Sequence, residues 1–205
     1  MVGLIFATPE EAAPFVERHA NGRLDDVEEG QHLEVDEVLV AVTGPGKIKA
    51  TLGTERFLQQ HDLDTIVHAG GATALTDDLA VGSLVGATFV LEGDRVALDA
   101  PSYPRMPLDS LSDLSTEGTL VSQDHTDDED PEERSYWERI ADMRDSTGYA
   151  VAFVAAQHGV PCYIVKGIAD CVGTDVDPSE QTTAYEAVAT FLQQHVATIE
   201  DASDA

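Results

Sequence analysis

The segment from Gly148 to Gly173, GYAVAFVAAQHGVPCYIVKGIADCVG, constrains the fold more tightly than any other part of the chain. Its alanine-rich start reads as a helix, His158-Gly159-Val160-Pro161 as a turn, and Cys162-Tyr163-Ile164-Val165 as a strand. An uninterrupted apolar strand bounded by glycine and proline is covered on both faces, the condition of a strand in a parallel sheet. Lys166-Gly167-Ile168-Ala169-Asp170 follows as a loop. Open α/β sheets bind ligands at the carboxyl ends of their strands, so Asp170 stands where a catalytic carboxylate is expected. Its other available role is to cap the turn ahead of the helix that Asp177-Pro178-Ser179 opens.

Strands and helices alternate through the rest of the chain. Val2 to Ala7 is an apolar strand, and Thr8-Pro9-Glu10-Glu11 opens a helix to about Ala20, with Thr8 as N-cap and Pro9 at the first helical position. Glu11 has two roles open to it: closing a capping box with Thr8, or presenting a carboxylate at the end of the first strand. Strands over 32–35 and 37–42 lead into Thr43-Gly44-Pro45-Gly46-Lys47 and a helix over 47–60. The amides of that glycine loop can approach a polar ligand, but its glycines stand too close together for a Walker motif. A strand over 64–69 carries His68, read as a core histidine, and ends in a glycine turn at Gly70-Gly71-Ala72; another strand covers 83–91. Residues 92–116 read as irregular, 120–123 as a short strand, 124–133 as a solvated acidic loop without calcium-site spacing, and 136–143 as the start of a helix. A terminal helix over 179–199 has Tyr185, Val188, Phe191, Leu192 and Val196 on its apolar face, ahead of an acidic tail from about residue 200. The pattern predicts one α/β domain over 1–205, a three-layer α/β/α sandwich with a mixed, largely parallel central sheet.

Charge narrows the partners. Acidic residues outnumber basic ones 39 to 11, for a formal charge of -28, which repels phosphate backbones and argues against a nucleic-acid partner. The acids are spread along a chain that is still 42% hydrophobic, so disorder does not explain them. A cytosol of molar salt does, because a Debye length of roughly 3 Å removes the self-repulsion. No apolar run approaches the ~20 residues of a membrane helix, and Met1-Val2-Gly3-Leu4-Ile5-Phe6 reads as a strand instead of a signal peptide. The two cysteines, Cys162 and Cys171, lack metal-site spacing and fit a reducing cytoplasm.

With these pieces in order, the chain resembles the nucleoside phosphorylase and nucleosidase superfamily, and within it the methylthioadenosine/S-adenosylhomocysteine nucleosidases and futalosine hydrolases. Gly3-Leu4-Ile5-Phe6-Ala7-Thr8-Pro9-Glu10-Glu11 is similar to the family's opening strand and acidic helix start, and Gly44-Pro45-Gly46-Lys47-Ile48-Lys49-Ala50 to its GxGK-x-x-A loop. Ala69-Gly70-Gly71-Ala72 with Val81-Gly82-Ser83-Leu84-Val85 resembles the glycine-rich turn and the strand after it. Gly159-Val160-Pro161 with Val165-Lys166-Gly167-Ile168-Ala169-Asp170 resembles "VP…VR-x-ISD".

The resemblance implies that Asp170 protonates or hydrogen-bonds N7 of a departing purine and that Glu11 orients and deprotonates the attacking water. It implies that the backbone of Gly70, Gly71 and Ala72 lines the ribose and water site and that Ser122, Gln123, His125 and Thr126 border the base. Cleavage of an N-glycosidic bond through an oxocarbenium-like state needs both carboxylate roles. The family's phosphate-binding arginines have no counterpart in Ala7-Thr8-Pro9-Glu10 or Ile66-Val67-His68-Ala69, which points to water over phosphate. One departure stands out. The family's ribose-binding glutamate is replaced by Thr147, or by Arg144 if three residues are inserted, with Asp145 close enough to substitute. The implied activity is hydrolysis of a purine nucleoside or 5′-substituted thionucleoside, without metal or organic cofactor, in a homo-oligomer (dimer, trimer or hexamer). An idle nucleoside-binding protein is the alternative, and a phosphorylase the third.

Overall fold

All five residues of the first strand, β1 (Val2–Phe6), are buried, and their side chains point alternately to opposite faces, so each face needs its own cover. Leu4 and Phe6 pack with Ala12, Phe15 and Val16 of α1 (Pro9–His19) and with Val188, Phe191 and Leu192 of α5 (Pro178–Ser203). Ile5 packs on the other face with Ala50 and Phe57 of α2 (Lys47–Gln60) and with Ala150, Val151 and Ala155 of α4 (Gly148–His158). The result is the expected α/β/α layering. The computed structural model describes residues 1–19, 28–94, 105–111, 113–125, 130–174 and 177–203.

The remaining elements are β2 (His32–Val35), β3 (Val38–Val42), β4 (Thr65–Ala74), β5 (Leu84–Glu92), β6 (Arg105–Pro107), β7 (Glu117–Ser122), α3 (Pro131–Trp137), β8 (Met143–Asp145) and β9 (Cys162–Cys171). The sheet runs β2-β3-β1-β4-β8-β7-β5-β6, with β9 pairing both β4 and β5. The strands β4, β8, β7, β5 and β9 therefore close into a ring. Among the described residues the sheet is mixed, with β1/β3, β1/β4, β4/β9, β5/β7 and β7/β8 parallel and the other pairings antiparallel.

Five local expectations change. The glycine turn at Gly70-Gly71 and the loop at Lys166–Asp170 are strand: β4 continues to Ala74 and β9 to Cys171, with Gly71 opposite Gly167. The pairing slips between Ala72 and Thr73, where Ala72 faces Ile168 and Thr73 faces Asp170, so β9 carries an extra residue at the site's edge. The helix expected over 136–143 lies earlier, because Pro131 occupies its first turn and the Asp130 side chain caps it by accepting from the Glu132 amide (2.9 Å). Met143–Asp145 is then free to form β8. The stretch read as irregular contains β6, paired with β5, and α5 continues to Ser203, past the predicted start of the acidic tail. The end of α4 is as read: Gly159 adopts φ 71, the left-handed cap that glycine takes at least cost. Among the described residues no helix is long and apolar enough to cross a membrane.

Contact between α5 and β9 depends on Gly167. A Cβ there would lie 2.6 Å from the Ala184 carbonyl oxygen and 3.0 Å from Val188 Cγ2, and helix backbone cannot yield as a side-chain tip would. Gly167→Ala should destabilise the fold by about 1–3 kcal/mol, seen as a lower denaturant midpoint in molar KCl.

Candidate active site

Glu11 fills both of the roles open to it. Thr8 Oγ1 accepts from the Glu11 amide (3.3 Å) while Glu11 Oε2 accepts from the Thr8 amide (3.2 Å), so the capping box forms. The same Oε2 accepts from the Ala7 amide (3.0 Å), and Oε1 accepts from the Gly71 amide across on β4 (2.8 Å). Three backbone donors thus fix the carboxylate at the carboxyl end of β1, beside Gly71 of β4. Gly70 permits this approach: its φ is 143°, and a Cβ at that position would lie 2.6 Å from the Glu11 carboxyl carbon.

Asp170 stands one strand away on β9. Its Oδ1 accepts from the Cys171 amide (2.7 Å), and its Oδ2 has no partner among the described residues. Strand register places Thr73 opposite Asp170 on one side and opposite Arg144 of β8 on the other. Paired residues point to the same face of a sheet, so Asp170, Thr73 and Arg144 form a row.

Beneath this row lies a buried polar network. Asp145 Oδ2 receives Lys166 Nζ (2.8 Å) and the Gly148 amide (2.9 Å); Oδ1 receives Ser122 Oγ (2.6 Å) and the Thr147 and Gly148 amides (3.2 and 3.1 Å). The first turn of α4 is therefore capped by Asp145, from two residues before Thr147. Burial alone would raise the Asp145 pKa; the Lys166 ammonium, through its charge and its hydrogen bond, overrides this and holds the carboxyl far below its usual range. His68 is pushed below its ordinary value, chiefly by burial and then by the Lys166 charge. The neutral ring donates from Nδ1 to the Ile5 carbonyl (3.0 Å), leaving Nε2 to accept from Lys166 Nζ (2.9 Å) or Thr147 Oγ1 (3.0 Å). With that tautomer, the 3.3 Å approach of His68 Nε2 to Asp145 brings two acceptors together and is bridged by the lysine.

Glu11, Gly71, Ala72, Asp145, Thr147 and Asp170 line one cavity of about 260 Å³, as the sequence grouped them. Gly70 lies behind Glu11 and is not part of the lining. Ser122 and Gln123 are buried supports, bonding the Asp145 side chain and its carbonyl (2.8 Å); His125 is exposed, its amide directed at Asp94 (3.4 Å). Thr126 lies outside the described residues. The glycine loop contributes Pro45 to the lining, but its amides at Gly46 and Lys47 are taken by Ser146 Oγ and Asp124.

The cavity also takes in Thr73, Ser146, Lys166, Gln181 and Tyr185, which the sequence reading does not place in the site, and Arg144, which it weighs only at the glutamate position. Lys166 carries a signal, a lone charge directly after an apolar run, and its partner is the buried Asp145. Among the described residues, no group of three or more His, Cys, Asp or Glu side chains is arranged to hold a metal ion.

The family model of the phosphorylase superfamily matches residues 1–200. The chain belongs to the phosphorylase superfamily. Its relatives in that superfamily include the 5′-methylthioadenosine/S-adenosylhomocysteine nucleosidase of Shewanella piezotolerans, 32% identical over 98 residues that span 45% of this chain and 42% of that protein. The aminodeoxyfutalosine nucleosidase of Helicobacter pylori (strain J99) is 26% identical over 156 residues, 65% of this chain and 67% of the relative. The superfamily fold is matched by the apo structure of 5′-methylthioadenosine nucleosidase from Arabidopsis thaliana, with a TM-score of 0.79, 20% identity, and coverage of 97% of this chain and 95% of that one.

The network makes stability pH-dependent. The His68 pKa is lower folded than its ordinary value of 6.5, so on acidification the unfolded chain takes up the proton first. Stability is full above about pH 6.5 and falls as pH drops toward the folded value; Asp145, also lowered, adds a second loss only below about pH 4. The denaturation midpoint in molar KCl should fall between about pH 6.5 and 5, with a smaller slope in His68→Gln.

Proposed function

We propose that the cavity hydrolyses the N-glycosidic bond of a purine nucleoside or a 5′-substituted (thio)nucleoside. The observation that carries this is the convergence of two differently held carboxylates on one pocket: Glu11 pinned by three backbone amides, Asp170 with one oxygen open. Water held on Glu11 forms the new bond to the anomeric carbon, giving its proton to the carboxylate. The carbon–nitrogen bond breaks, its electron pair leaves with the base, and Asp170 supplies a proton or hydrogen bond to N7. The products are the free sugar and the free base. The backbone of Gly71 and Ala72 borders the water and sugar. Nucleosidases among the relatives support the reading.

Arg144 favours a second reading, because a cation in the row with Asp170 offers a contact to phosphate as nucleophile. Release of free base from a panel of purine nucleosides, in molar KCl with and without phosphate, separates the two. We expect phosphate-independent release, reduced by 10²-fold or more in both Asp170→Asn and Glu11→Gln. Release only with phosphate would make the protein a phosphorylase, and nucleoside binding without turnover would make it an idle binder.

The same reading includes a homo-oligomer in a high-salt cytosol. Of the chain's 39 acidic residues, α2 carries only Glu55 and α4 none, while Ile48, Leu52 and Phe153 on these adjoining helices are 76%, 52% and 44% exposed. On so acidic a chain, an acid-poor apolar face suits a second copy. Pro45 and Ser146, just before these helices, line the cavity, so that copy would border its mouth. An oligomer by sedimentation in molar KCl, converted to monomer by Ile48→Glu with Leu52→Glu, is the expected result; a monomeric parent chain at micromolar concentration would reject it.

A further inference from the structure

Three carboxylates border the cavity, and each is already committed. Asp145 receives Ser122 Oγ, Lys166 Nζ and the Thr147 and Gly148 amides, which leaves its oxygens no room for a ligand hydroxyl. Glu11 holds three amides, and its remaining capacity faces the water assigned above. Asp170 faces the base. The hydroxyl groups of a bound sugar still need partners, since a buried polar group without one is costly.

Two neutral side chains of α5 meet that need. Gln181 and Tyr185 are four residues apart, one turn of helix, and both line the cavity. Neither makes a hydrogen bond to a described residue. The Tyr185 ring lies over Gly71, where a Cβ would sit 2.9 Å from Cε1, and Gly71 is the residue whose amide holds Glu11. The phenol is thus beside the water-holding carboxylate, on the sugar's side of the pocket. Burial, with the charges of Glu11 and Glu10, raises the Tyr185 pKa, so the group stays protonated and can donate as well as accept.

We propose that Gln181 and Tyr185 bind the sugar hydroxyls of the nucleoside, an assignment that rests on the nucleosidase reading. Neutral partners discriminate less sharply than a carboxylate would, so the enzyme should tolerate loss of one sugar hydroxyl better than a site built on a charged acceptor.

The test is a cycle of variants against substrates. kcat/KM is measured in molar KCl for the parent protein, Tyr185→Phe and Gln181→Ala, on a purine ribonucleoside and its 2′-, 3′- and 5′-deoxy counterparts. Each variant should lose about three- to tenfold on the ribonucleoside and nothing further on the one deoxy compound that lacks its partner hydroxyl. Equal losses on all four compounds, or no loss on any, would overturn the assignment while leaving the nucleosidase reading intact. No turnover of any compound by the parent protein would overturn both.

Discussion

The site is organised by one buried ion pair, Lys166 with Asp145. Removing either charge from water costs several kcal/mol, which attraction alone does not reliably return. Here further hydrogen bonds support the pair: from the lysine to His68, and from Ser122 and the first amides of α4 to the carboxylate. The pair therefore joins β9, β8, β7, β4 and the start of α4 at one point. Three of those elements carry cavity residues that must hold their spacing: Asp170 four residues beyond Lys166, Arg144 beside Asp145, and Gly71 three residues beyond His68. An apolar substitute of equal volume could pack there, but it would neither cap α4 nor fix the strand ends relative to one another.

Much of this was legible in the sequence, for identifiable reasons. Buried parallel strands announce themselves as apolar runs, so Val2–Ala7 and Cys162–Val165 read as strands, and with them comes the carboxyl-end logic that singles out Asp170. Glu11 carries in the sequence two roles that look like rivals. The structure joins them because a capping-box carboxylate has two oxygens and four lone-pair directions, enough for Thr8, Ala7 and Gly71 together.

What stayed hidden was mostly tertiary. Glycine is permissive at a turn and equally useful where another chain segment must come close, and sequence does not separate the two; at Gly70-Gly71 and Gly167 close approach is what it serves. Tyr185 falls on the stripe of α5 with Val188 and Leu192, and periodicity reports only that the stripe faces inward. It does not report that the tyrosine ring lies over Gly71 at the cavity, where its neighbours meet core. Asp130-Pro131 was a local signal, a cap with proline in the first turn, submerged in a run of acids that read as solvated loop.

The departure at position 147 follows from the same ion pair. The resemblance to the nucleosidases leads one to expect a sugar-binding glutamate there, yet Thr147 is 1% exposed and its hydroxyl lies within 3.3 Å of both His68 and Asp145. A glutamate confined to that space would set a second carboxylate against Asp145, with Lys166 the one ammonium among the network's members to neutralise both. Like charges at such a distance in a buried site cannot both stay ionised without a large penalty. The network as built and a carboxylate in the place of Thr147 are therefore alternatives, and a chain that adopts the first must recognise its sugar from another wall. Gln181 and Tyr185, one turn apart on α5, face the cavity from such a wall.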